Sequence, residues 1–161
     1  MCKFKSALCL KDRVFVPDYD SHDQMLQELG IPDDYLHASK TFVRVELSPA
    51  DGDPASDPMG WRINIDQDIL PDWFDHKVDE LRVKEAIAEW CKVHVLREGY
   101  HDVKDGVWIA AANSTVTARA NSTVILPKYW QTGNPVELHD EAICINHKTH
   151  KIRSAIKWEQ E

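Results

Sequence analysis

Three groups of side chains in this sequence have the types that bind metals or move protons. Asp18, Asp20 and His22 alternate, so an extended backbone would set them on one face, with Asp23 next in line. Carboxylates and an imidazole placed that way can hold a divalent cation that activates water. Asp66, Asp68 and Asp72 lie between Trp61 and Trp73, and paired acids beside aromatic rings serve glycoside hydrolysis or sugar binding. His139, Cys144, His147 and His150 offer zinc a thiolate and three imidazoles.

Each group also has a plainer explanation. Pro17-Asp18-Tyr19-Asp20-Ser21 is turn chemistry, and acids ahead of a helix are favoured by its dipole. Asp66 and Asp68 fall where a strand gives way to Pro71, a place for turns and caps. The His/Cys group matches no zinc-finger or enzyme spacing, since Cys144 sits in an expected strand and His147 and His150 in its turn. Cys91, beside Trp90 on the apolar side of an expected helix, is an inert buried thiol, and His94 on the same stripe is a core or boundary histidine. Six glycines, all single, build neither a Walker loop nor a dinucleotide fingerprint. No catalytic residue, metal or cofactor is assigned. Asp18, Asp20, His22, Asp66 and Asp68 stand as candidates for catalysis, and His139, Cys144, His147 and His150 as candidates for a metal.

The elements that must position these residues follow from periodicity. Phe4 to Val16 clusters apolar residues around Lys11-Asp12 as a strand pair or one bent strand, which Pro17 ends. Ser21 with Gln24 is a capping box for a short helix closed by Gly30. Asp33 to Ser39 makes a further helical turn, and Phe42 to Leu47 alternates with Val43, Val45 and Leu47 on one face. Past a polar loop, Trp61 to Ile65 alternates again and invites antiparallel pairing. The strongest helical pattern runs from about Asp75 to Glu98, with Val83, Ile87 and Trp90 on one stripe and Gly99 beyond its end. That stripe is expected to face Val43, Val45, Ile63 and Ile65.

From Gly99 on, the character is β and the sequence repeats: Ala112-Asn113-Ser114-Thr115-Val116 returns as Ala120-Asn121-Ser122-Thr123-Val124. His139-Asp140-Glu141-Ala142-Ile143 reads as a weaker third copy. Equal residues at equal intervals suit equal environments, either in the turns of a short solenoid or in a meander with Asn-Ser turns. In both, Val116 and Val124 point inward, Asn113 and Asn121 take turns, and Thr117 on the opposite face should accept a charge. Ala142 to Asn146 and Ile152 to Ile156 form a closing hairpin.

With 161 residues, 43% hydrophobic residues and six tryptophans, the chain has material for one real core. The expected fold is α+β: a small, mostly antiparallel sheet on a long central helix, spanning residues 1–100, with a β-rich segment over 101–161 packed on it, or both as one domain. Four scattered cysteines suit reduced thiols in the cytoplasm, and no apolar run is long enough to span a bilayer. A net charge of −8 opposes non-specific nucleic-acid binding, and no concentrated basic patch stands out.

Lys5 to Ala7, Val14 to His22, Asn64 to Trp73 and the Asn-Ser-Thr-Val copies together resemble a group of prophage and gut-bacterial proteins. In that group a similar N-terminal module precedes long β-helix-like arrays of such repeats. The resemblance spans most of the chain and implies a layout and a bacteriophage or prophage setting, without a mechanism. This chain has very few repeats, which argues against an extended fibre. The expected function is non-catalytic: an adaptor or inhibitor of a host or phage protein, binding through Trp108, Tyr129 and Trp130 in the β-rich segment. The alternative is a small metal-dependent hydrolase built on an Asp/His cluster.

Overall fold

A computed structural model of the chain describes residues 4–49, 52–111, 113–127 and 136–156. Contacts divide it into two compact units, Met1–Ala50 with Asp57–Cys91, and Asp51–Ser56 with Lys92–Glu161. The expected small antiparallel sheet on a long helix is not the architecture. Among the described residues twelve strands form three sheets, two of them built on parallel pairing, with three helices beside them. The helical pattern persists over 19 residues, His76–His94, whereas strands of two to seven residues leave little pattern to read.

In the first unit the strands β1 (Lys5–Leu10), β2 (Val14–Phe15), β3 (Phe42–Ser48) and β4 (Arg62–Ile65) form an antiparallel sheet of order β2-β1-β3-β4. All six residues of β1 are buried, because both faces of this sheet are covered. On one face Leu8, Leu10 and Phe42 pack with Met25 and Leu26 of α1 (His22–Glu28), with Ala38 of α2 (Tyr35–Ala38) added at the margin. Ser21 caps α1 by accepting the Gln24 N–H, and Asp34 caps α2 by accepting that of His37.

The opposite face carries Lys5, Ala7 and Cys9 beside Val43, Val45 and Leu47, with Ile65 and Ile63 next in register. Helix α3 (His76–His94) lies on this side, its stripe Val83, Ile87 and Trp90 buried. The helix is tied to β1 by polar contacts. Asp75 accepts the Val78 N–H while its own N–H donates to Asp79, and Arg82 bridges Asp79 to the Leu10 carbonyl. Lys5, only 2% exposed, spends its ammonium on Asp20 Oδ1 (2.8 Å), the Tyr19 carbonyl (2.9 Å) and the Trp90 ring (4.9 Å). Gln67 locks the far end of the sheet, donating to the carbonyls of Ala38, Phe42 and Ile69 and accepting the Arg44 N–H.

The second unit is a coil with two strands per turn. β5 (Val95–Leu96), β7 (Val107–Ala110), β9 (Thr123–Leu126) and β11 (Ile143–Asn146) stack in parallel as one sheet. The intervening β6 (Gly99–Lys104), β8 (Ser114–Arg119) and β10 (Val136–Leu138) stack in parallel as the other. β12 (Lys151–Ser154) closes the first sheet by antiparallel pairing with β11. Inward residues of both sheets, including Val103, Val116, Ala118, Val124, Leu126 and Cys144, make a single core.

The two repeat copies do not pair with each other. Each supplies half a turn, one leading into β8 and the other into β9, in different sheets, so successive strands do not form a meander. The shared environment is still real: Asn113 and Asn121 are exposed, Ser114 and Ser122 buried, Val116 and Val124 fully buried. The third copy is registered one residue later than its sequence suggests, because Cys144 rather than Ile143 pairs with Val124. At one corner of the coil Asp105, Ala120 and Asp140 all adopt positive φ, near 50°. Asp105 accepts the Asn121 N–H and Asp140 that of Ala120, so aspartates on either side clamp the middle corner. Thr117 is not a free outward site. It is 4% exposed, accepts from Tyr100 Oη at 3.0 Å, and pairs in register with Asp102 and Glu137, so a carboxylate there would meet two others.

Two outcomes test these cores. Trp90→Ala removes a buried indole that also donates to Asp18 at 3.3 Å; it should cost about 3–5 kcal/mol in denaturant melts. Val124→Asp buries an unpaired charge and should cost about 4 kcal/mol or more. In the same corner Ser122 Oγ is buried without a hydrogen-bond partner among the described residues, while the equivalent place one turn on is filled by Ala142. Ser122→Ala should therefore leave stability unchanged or raise it by about 1 kcal/mol.

Candidate functional site

Two of the candidate acids of the first unit, Asp18 and Asp20, are occupied by structural work. Asp20 holds Lys5 and also accepts the Ser6 N–H. Asp18 receives the Trp90 indole N–H. His22 and Asp66, from the two acid-bearing segments, do come together, with Nδ1 3.8 Å from Oδ2. The other ring nitrogen, Nε2, is pinned on the Val45 carbonyl at 3.2 Å, which leaves the imidazole no free edge for a substrate. Asp68 and Asp72 are exposed. Trp61 is buried edge-on against Phe4, and Trp73 donates to the Lys40 carbonyl.

The His/Cys group does not converge either. Cys144 faces the interior of the coil, His147 and His150 are exposed in the β11–β12 turn, and His139 pairs with Glu137 at 3.0 Å. Among the described residues no three His, Cys, Asp or Glu side chains are placed to hold a metal ion. His94 contacts the Val107 carbonyl at 2.8 Å and the Trp108 ring at 5.6 Å. Trp108, expected as a binding residue, packs on the coil's core and donates its indole N–H to the Asp105 carbonyl. Tyr129 and Trp130 lie outside the described residues. No helix among the described residues is long and apolar enough to cross a membrane.

A groove of about 600 Å³ beside α3 is lined by Arg13, Arg82, Glu85 and Glu89 together with Val14 and Met59. Its arginine and carboxylate groups are of both signs, and Arg82 is already bound to Asp79.

A different feature emerges from the outer faces of the coil. On the three-stranded sheet the outward residues are polar and mutually paired, as in Arg119 with Asp102 at 3.2 Å. On the five-stranded sheet the register lines up Val95, Ile109, Ile125, Ile145 and Ile152 as one outward column, and Ile143 stands in the adjoining one. Exposure along this column rises with the turns: Ile109 is 3% exposed, Ile125 and Ile145 are half-buried, and Ile152 is 68% exposed. The sequence concealed it, since β9 and β11 are apolar on both faces and such strands read as central and covered. At the same end the β11–β12 hairpin gathers a few cations. From Ala142 to Ile156 there is no Asp or Glu, but there are Lys148, Lys151 and Arg153. Arg153 donates to the Val136 carbonyl, and neither lysine side chain has a partner among the described residues.

Comparison of the chain with family models, curated proteins and solved structures gave no match.

The thiols supply a test of these placements. Burial pushes Cys9 up to about 11 from an ordinary 9.0, helped by the nearby Asp79 charge and opposed by Arg82, and burial raises Cys144 as well. A folded-state value above the unfolded one favours the neutral thiol in the fold. The contribution of Cys9 to stability is therefore full below about pH 9 and is lost as pH rises from 9 toward 11. Alkylation at pH 8 followed by peptide mapping should leave Cys9 and Cys144 unmodified in the native protein and label both in denaturant.

Proposed function

We propose that the protein is a non-catalytic binding protein, an adaptor or inhibitor acting through protein–protein contacts on a host or phage protein. The observation that carries this reading is the outward isoleucine column of the five-stranded sheet. Exposed aliphatic side chains are normally scattered singly, and here the half-buried Ile125 and Ile145 run in line to the exposed Ile152, an aligned apolar strip of the kind an interface core uses. The phage or prophage setting is taken from the resemblance of the repeats and flanking segments, and the cytoplasmic setting from cysteine usage. A metal-dependent hydrolase has less support, because Asp20 and His22 are engaged by Lys5 and the Val45 carbonyl.

Affinity capture with the wild-type chain and with Ile125→Glu/Ile145→Glu tests the reading. Both positions are half-buried on the outward face, so the double variant should keep its circular dichroism spectrum. The protein captured by wild type should be lost from the double variant and retained by Val78→Glu, a control at an exposed position on α3. Equal capture by all three chains would refute the assignment.

A further inference from the structure

We propose that the free edge of β12 is a docking strand for an extended acidic peptide segment of the partner, added to the five-stranded sheet by backbone pairing. This rests on the protein-binding reading and names the partner's chemistry. Among the described residues β12 is terminal in its sheet with its outer edge unpaired, and all four of its residues are exposed. The Ala155 N–H donates to the Ala142 carbonyl at 3.2 Å. With the register Cys144↔Arg153 and Asn146↔Lys151, that bond sets the alternation of the ladder. Arg153 and Lys151 turn their backbone groups toward β11, whereas Ile152 and Ser154 turn theirs outward. An unpaired edge of this kind recruits another strand unless something forbids it.

Charge selects the recruit. Lys148, Lys151 and Arg153 lie in a stretch without a single acid, in a chain of net charge −8. Two copies of this edge would bring like charges together, so self-pairing is opposed. An incoming strand with carboxylates meets cations that the described residues leave unanswered. Its apolar side chains would continue the outward column past Ile152. Nucleic acid would use the same cations but has no use for outward N–H and C=O groups in strand geometry, and this favours the peptide.

The test uses the full chain and labelled synthetic peptides of alternating Glu and Val, read by fluorescence anisotropy. The Glu peptide should bind, and replacing Glu by Gln should weaken binding by about tenfold or more. N-methylation of alternate peptide nitrogens should abolish binding, because it blocks the strand bonds without touching the protein. Lys148→Glu/Lys151→Glu should lose about tenfold in affinity and keep the wild-type melting temperature, since both side chains are exposed and have no partner among the described residues. Equal binding of the methylated peptide, equal affinity of the charge-reversed chain, or preference for a single-stranded oligonucleotide over the peptide would each overturn the proposal. Loss of peptide binding with capture still dependent on Ile125 and Ile145 would sink this inference alone. Peptide binding with capture indifferent to those residues would sink the isoleucine face and leave the edge standing.

Discussion

In the β-rich unit every residue must satisfy the residue one turn above and one turn below it, because parallel strands in register set counterparts about 4.8 Å apart. Nearly everything else about that unit follows. Val124 is buried between the apolar counterparts Trp108 and Cys144, and Val116 between Val136 and the inward side of His101. Asp102 tolerates its place because Arg119 reaches back to it, and Thr117 stays neutral between two acids. Even the corners obey: the Thr123 N–H finds the Gly106 carbonyl, and the Ile143 N–H that of Ser122. The chain pays for this order at Ala120, whose positive φ is one that residues with a Cβ adopt at a cost of about 1 kcal/mol.

The first unit meets a different demand. A sheet covered on both faces leaves β1 without a solvent side, yet Lys5 lies within it. The ammonium is tolerable because a carboxylate, a carbonyl and an indole face surround it, and removing any one would leave a buried charge short of partners. The same groups decide the fate of the suspected catalytic acids. Asp18 and Asp20 look reactive when read along the chain, but the fold sets them against Trp90 and Lys5.

What could be read from residues alone depended on how local the signal was. Ser21 and Gln24 announced α1, and the stripe Val83, Ile87, Trp90 announced α3, since both patterns are complete within one helix. The hairpin of β11 and β12 was visible for the same reason. The architecture was hidden because β5 and β7, or β6 and β8, meet only after the chain has run through a strand of the other sheet, and nothing local records a parallel partner. The candidate surface was hidden for a related cause. Ile125 and Ile145 become neighbours only through the register, and the strands that carry them are apolar on both sides.

The positions of the Asn-Ser-Thr-Val copies bear on how such a chain changes length over generations. Each copy carries its own corner and its own inward valine, so it behaves as a self-contained half-turn, and two of them advance the coil by one level. A tandem duplication of whole turns reproduces the same neighbours above and below and leaves the inward and outward faces unchanged. An odd insertion within a strand would turn valine outward, whereas a longer corner is tolerated, as the wider sequence spacing of the register partners Ile125 and Ile145 than of Ile109 and Ile125 shows. Whole turns are thus a unit by which the coil can lengthen or shorten over generations without exchanging its faces.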